Sequence, residues 1–215
     1  LMRRYVPEPK YNKEPFLEKF KTLDEVLLPD SRQEAFQVFD TEFNDFRRKE
    51  LSDIHSALSE VNLDENVPQK VRDHFTTSKH LSLYSWFVYR FIPVAEFHAI
   101  ASLEFALKEK TGKPKWGLKR LLSHAVNSQW VEDNDFKIHR RSKEQNRYRA
   151  EMWAEAGISS NYQDPESKEG EYTSILVESM PYIRNEYAHG SSTIAPQSFL
   201  TLTICADFIN AVYRK

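Results

Sequence analysis

The stretch LSLYSWFVYRFIPVAEFHAIASLEFALKEK, residues 81–110, is the most hydrophobic in the chain, and its reading decides the fold. Trp86, Phe87, Val88, Phe91, Ile92, Val94, Phe97, Ile100, Leu103, Phe105 and Leu107 fall on most of the circumference of a helix. A helix that is apolar almost all round must be covered almost all round, so this spacing predicts a central core helix. Pro93 either kinks that helix or opens its second half, because proline has no N–H to give and its ring crowds the preceding turn. Gly112 supplies a stop. Glu96, His98 and Glu104 are the polar exceptions inside the apolar frame.

Downstream, Leu118, Leu121, Leu122, Ala125 and Val126 make an amphipathic stripe, and 137–152 reads as a strongly basic helix with few apolar anchors. Residues 157–170 are polar and hold Pro165 and Gly170, so they read as a loop. Two more helices are expected, over 171–189 and 196–213, the last of them apolar.

Upstream, Ser31 and Glu34 have capping-box spacing. The stripe Phe36, Phe39, Phe43, Phe46, Leu51, Ile54, Leu58 and Val61 then alternates threes and fours with one slip. That predicts one helix of roughly 30 residues, about 45 Å long. Residues 62–66 break it, and Pro68 suits the first position of a short helix to about residue 77. Residues 1–30, with Pro7, Pro9, Pro15 and Pro29, read as an extended arm with at most one short helix near 16–28. No period-two strand and no internal repeat stands out. The fold class is therefore all-α: a helical bundle over 80–215, a helical extension over 31–79 and an arm over 1–30.

The 215 residues are 40% hydrophobic and 29% charged, an ordinary globular composition. A net charge of -2 excludes a globally basic nucleic-acid binder, so any such surface has to be local. With 5 glycines and no Gly-rich fingerprint, phosphate-cradling and dinucleotide loops are excluded as well. Cys205 is alone and reads as a small buried hydrophobe, without a disulfide or a Cys-based zinc site. His74, His80, Glu96 and His98 match no metal-ligand spacing, and His98 reads as a hydrogen-bonded bundle residue; neither a metal nor a cofactor is expected. Arg3 and Arg4 are followed by no apolar core, and no run is long enough to span a bilayer, so the expectation is a cytoplasmic chain with no membrane partner.

The candidate site is 181–190, Pro-Tyr-Ile-Arg-Asn-Glu-Tyr-Ala-His-Gly. Asn185 and His189 are four apart, on one helical face, while Arg184 lies about 140° round from His189. Histidine passes protons near neutral pH, and arginine forks onto phosphate oxygens. Pro181 leaves the Val177 carbonyl without its helical donor, which favours a kink. The residues alone leave a plainer reading open: a cation suits a last helical turn by about 0.3–1 kcal/mol, and Gly190 is an ordinary terminator.

Arg184, Asn185 and His189, set near the end of a penultimate helix and behind an apolar helix carrying Glu104, resemble the motif of the HEPN superfamily (higher eukaryotes and prokaryotes nucleotide-binding). The resemblance covers about residues 80–215. It implies a bundle of four or five helices, a homodimer that brings two motif helices together, and often metal-independent endoribonuclease activity. It also implies a toxin or defence effector, for which an inhibitor or antitoxin protein would be a partner. Some members are inactive and bind a nucleotide or a partner protein. Arg184, Asn185 and His189 would be catalytic, with Glu104 and Tyr187 in support. Ser191 stands where one toxin subgroup has a tyrosine, so the chemistry tied to that tyrosine is not expected.

Two further groups stay open on the residues alone. Glu96 or Glu104 could fix the fork of Arg184, or Glu104 could simply pair with Lys108 one turn away. Lys137, His139, Arg140, Arg141, Lys143, Arg147 and Arg149, with Tyr148 and Trp153 nearby, could track an RNA backbone and stack its bases, or form a solvated helix face.

Overall fold

The computed structural model describes residues 19–157, 168–190 and 198–214. A 3-10 turn, Ser31–Ala35, leads into a hairpin of β1 (Gln37–Asp40) and β2 (Asp45–Arg48). Seven α-helices follow among the described residues: α1 (Leu51–Ser59), α2 (Gln69–Tyr84), α3 (Phe91–Thr111), α4 (Leu118–Asn127), α5 (Lys137–Glu155), α6 (Glu171–Ala188) and α7 (Ser198–Arg214). A second 3-10 turn, Asp133–Asp135, precedes α5. The protein is an all-α bundle with one small hairpin.

α3 is the central helix that its all-round hydrophobicity requires. Ala95, Ala99, Ile100, Leu103, Ala106 and Leu107 are fully covered, and the alanines let neighbouring backbones approach closely. α2 and α7 pack along it most extensively, with α4 and α6 completing the ring. Phe75 of α2, Leu121 and Leu122 of α4, Leu176 and Met180 of α6, and Phe208 and Ile209 of α7 belong to the same core. The boundary expected between residues 79 and 80 lies inside α2, whose Val71 and Phe75 join that core. Pro93 sits in the first turn of α3, where its missing N–H would have had no helical partner, so no kink is needed. Gly112 ends α3 at φ 65, in the left-handed region, and donates its N–H to Lys108 O.

The single long helix expected from residue 31 is not formed. Asp40 begins a turn, its Oδ1 accepting from the N–H groups of Glu42 and Phe43, and Asn44 closes it at φ 51. Asparagine tolerates that conformation better than most residues. Phe39 then lies opposite Phe46 in the antiparallel register, their rings 5.3 Å apart and edge-on. These two residues are seven apart in sequence, which is also two turns of helix. The stripe therefore fitted either structure, and the turn residues settled it. The Ser31–Glu34 capping box does not form either: Asp30 is the cap, accepting from Arg32 N–H at 3.1 Å. The 3-10 turn docks on the link between α2 and α3 through Asp30 N–H to Trp86 O and Gln33 Nε2 to Ser85 O. Over 19–28 the chain makes turns, not a helix.

No helix among the described residues is long and apolar enough to cross a membrane. The loop expected over 157–170 and the position of Ser191 fall largely or wholly outside the described residues. What anchors the start of α6 is Asp133, buried in the second 3-10 turn. Its carboxylate accepts from the N–H groups of Gly170, Tyr172 and Thr173, a cap supplied from nearly forty residues away. Burial alone would push this carboxyl up, but the three backbone donors outweigh it and hold it below its ordinary value of 3.8. The group therefore stabilises the fold above that value, and the contribution is lost as pH falls through the lowered one. Asp133→Ala should cost about 1–3 kcal/mol in urea unfolding at neutral pH, because three helix-end donors lose their partner. The difference from the unsubstituted chain should shrink as pH falls below 3.8.

Candidate active site on the last turn of α6

α6 runs unbroken through Pro181, and His189 caps its end, donating its backbone N–H to Asn185 O at 3.0 Å. Gly190 follows at φ 86, a conformation that suits glycine. The Arg184 guanidinium turns toward α3. Its Nη1 donates to Asn185 Oδ1 at 3.3 Å, its Nη2 lies 3.8 Å from Glu104 Oε2, and its Cζ is 5.9 Å from the Phe97 ring centre. Glu104 Oε1 meanwhile accepts from Lys108 Nζ at 2.6 Å. Both readings of Glu104 hold at once, and the Lys108 contact is the shorter. The Arg184 side chain keeps 38% of its surface exposed, enough to reach a ligand.

His189 is exposed, and no hydrogen bond engages its ring among the described residues. The structure thus joins Arg184, Asn185 and Glu104, and leaves His189 one turn further along, facing solvent.

Tyr187 reaches from the motif to a buried acid of α3. Its hydroxyl donates to Glu96 Oε2, and Thr201 Oγ1 of α7 donates to Glu96 Oε1 at 3.1 Å. Glu96 is 3% exposed. Burial raises its carboxyl above the ordinary 4.5, with the two donors pulling the other way. Burial and the adjoining carboxylate also push the Tyr187 phenol up, so it stays a donor. This cluster ties α3, α6 and α7 together at the motif end of the bundle. The sequence did carry a signal for it, a carboxylate within an apolar run, but nothing local names Tyr187 and Thr201 as its donors.

His98 is not hydrogen-bonded through its ring as expected: Nδ1 is buried without a partner. Its ring stacks on His74 at 4.4 Å, and burial, with the His74 charge second, lowers its pKa from 6.5. His74 Nδ1 lies 2.7 Å from Ser102 Oγ, whose own proton goes to His98 O. The serine is therefore no activated nucleophile.

The basic helix α5 stands apart from the motif. It is rooted at its first turn, where Lys137 N–H meets Asp207 Oδ2 at 2.8 Å and His139 packs on Tyr172. Tyr172 and His189 are separated by nearly the whole of α6, about 25 Å. Arg140, Arg141, Lys143, Arg147 and Arg149 are all exposed.

No family model, curated protein or solved structure matches the chain.

Removing the Glu96 carboxyl leaves a small void and two unpaired hydroxyls. Glu96→Ala should lower stability by about 2–4 kcal/mol in chemical unfolding, and Glu96→Gln by less than half of that, since an amide oxygen can still accept. With a raised folded-state pKa, Glu96 favours folding most at low pH, and its contribution declines as pH rises above 4.5. Glu96→Gln should remove that part of the slope between pH 4.5 and 7.

Proposed function

We propose that this chain is a HEPN-type, metal-independent endoribonuclease acting as a toxin or defence effector, with Arg184, Asn185 and His189 as its catalytic residues. The observation that carries the reading is the motif's setting. Arg184 is braced by Asn185 and Glu104 beside α3, and His189 is open to solvent one turn on, at the end of the helix before the last.

In this reading the RNA 2′-hydroxyl oxygen attacks the adjacent phosphorus as the bond to the 5′-oxygen breaks. The products are a cyclic phosphate and a 5′-hydroxyl. His189 as imidazolium gives a proton to the leaving 5′-oxygen. The 2′-hydroxyl proton passes to water or to the imidazole of a second copy. Arg184 holds the charge that develops on the phosphorane oxygens, and Asn185 orients the guanidinium. Glu104 is a positioning residue, and Tyr187 fixes the height of the turn through Glu96.

A second reading, a non-catalytic helical module that binds a nucleotide or a partner protein, draws on a specific feature of the same site. Arg184 already has a carboxylate partner, and nothing described orients the His189 ring.

Purified protein, RNA and EDTA separate the two. The expected outcome is cleavage that survives chelation and falls about 10²–10⁴-fold in His189→Ala and 10²–10³-fold in Arg184→Ala. Cleavage abolished by EDTA, or retained in His189→Ala, rules the nuclease out. Growth arrest on expression that vanishes with Arg184→Ala supports the effector role. Indifference to both substitutions supports the binding module.

A further inference from the structure

Among the described residues two exposed patches of opposite character stand out, and neither is used by the site on α6. The first is the hairpin. Phe39, Phe43 and Phe46 are 51%, 74% and 64% exposed, and the residues around them are acidic: Asp40, Glu42 and Asp45, with no cation over 40–46. Arg47 is paired with Asp40 and Asp53, and Arg48 stands exposed at the foot of β2, so the acidic excess lies at the tip, on Glu42 and Asp45. A lone two-stranded hairpin is marginal in water, and three exposed phenylalanines on one mark a surface meant to be covered.

The second patch is α5 beyond its first turn. Arg141, Lys143, Arg147 and Arg149 are exposed together with Tyr148 and Met152. Glu144 is the one acidic residue over 137–149. The ion pair along this helix among the described residues, Arg147 with Glu151, is long at 4.0 Å. A helix this polar, with its cations standing in solvent, gains little from its own fold.

The two patches are complementary in charge and in chemistry. Guanidinium groups lie well on phenylalanine faces, and arginine, tyrosine and phenylalanine are the residues favoured in protein interfaces. Phosphate would be repelled by the acidic hairpin, so nucleic acid fits only half of the pattern. The patches also lie near different parts of α7. At the hairpin's base, Phe36 stacks on Tyr89, and both line a small cavity of about 90 Å³ that Phe199 of α7 also lines. The root of α5 meets Asp207 and, through Asp135, Arg214. Those anchor points are about 12–22 Å apart along α7. A twofold axis that sets two chains antiparallel would turn each hairpin toward the other chain's α5, making the same contact twice.

We propose that this protein self-associates through that contact: the acidic, phenylalanine-bearing hairpin of one copy seats on the basic helix α5 of a second copy, and the reverse. The contact is separate from any pairing of the motif helices and needs no cleavage activity.

Sedimentation velocity at micromolar concentration tests it with two surface variants, each checked for native helicity and melting temperature. Glu42→Lys with Asp45→Lys makes the hairpin basic, and Arg141→Glu with Arg147→Glu and Arg149→Glu makes α5 acidic. The unsubstituted chain should sediment as a dimer whose dissociation constant rises with salt. Each variant alone should dissociate at least about tenfold more readily, because like charges then face each other at both contacts. An equimolar mixture of the two should regain the dimer, because every hairpin–α5 contact in the mixed pair is again between opposite charges. Phe43→Ser should weaken the dimer without changing its salt dependence. A monomeric unsubstituted chain overturns the proposal. So does a dimer indifferent to both reversals, as pairing through the motif helices alone would give, or a mixture that stays monomeric. RNA binding lost in the α5 variant with no change in mass would assign that helix to nucleic acid instead.

Discussion

A carboxylate buried inside an apolar helix has to be met by donors from elsewhere in the fold, and those donors then fix where their own helices sit. Glu96 imposes this condition on α3. Its two oxygens are met by Tyr187 of α6 and Thr201 of α7, so the final two helices are pinned to the centre by directional bonds in addition to packing. Tyr187 lies between Arg184 and His189, which makes the height and rotation of the motif turn a consequence of a buried acid three helices earlier in the sequence. Asp133 does the corresponding work at the other end of α6, closing on three backbone donors. The motif helix is therefore held at both ends by carboxylates that belong to other elements.

The same economy explains why the site is open. α3 needs cover on nearly every side, and α2, α4, α6 and α7 provide it with their apolar faces. Arg184 and His189 fall on the rim of that arrangement, where a long cation can rest against Phe97 and Glu104 while its fork stays partly wet. The N-terminal segment closes the bundle differently. Its 3-10 turn is bonded into the α2–α3 link, whereas the hairpin it carries leaves its aromatic face outside. α5, too, leaves its cations outside.

Much of the helical bundle was legible from residue pattern. α3, α4, α6 and α7 follow from hydrophobic period and from Gly112 and Gly190 as stops, and the basic character of α5 was visible in its composition. The stretch from Phe36 to Phe46 was not, because a seven-residue interval serves a helix and a hairpin equally well. The deciding signal was the turn chemistry of Asp40 and Asn44, which carries less weight in a periodicity count than four phenylalanines. For the candidate site, the residue types and their helix were readable, and so were both possible partners of Glu104. The roles of Tyr187 and Thr201 were not, since hydrogen bonds across about ninety and a hundred residues leave no periodic trace.

By itself the sequence determined that one helix would be buried on all sides, that others would pack around it, and that an arginine, an asparagine and a histidine would share the end of a late helix. Those outcomes depend on local period and on where apolar mass accumulates, which are properties of neighbours in the chain. Only the tertiary structure decided which carboxylate meets which donor, that Arg184 leans toward α3 while His189 faces water, and that residues 37–48 fold back as strands. Each of those depends on the relative placement of distant segments, where the penalty for an unpaired buried polar group, and not residue order, selects the partner.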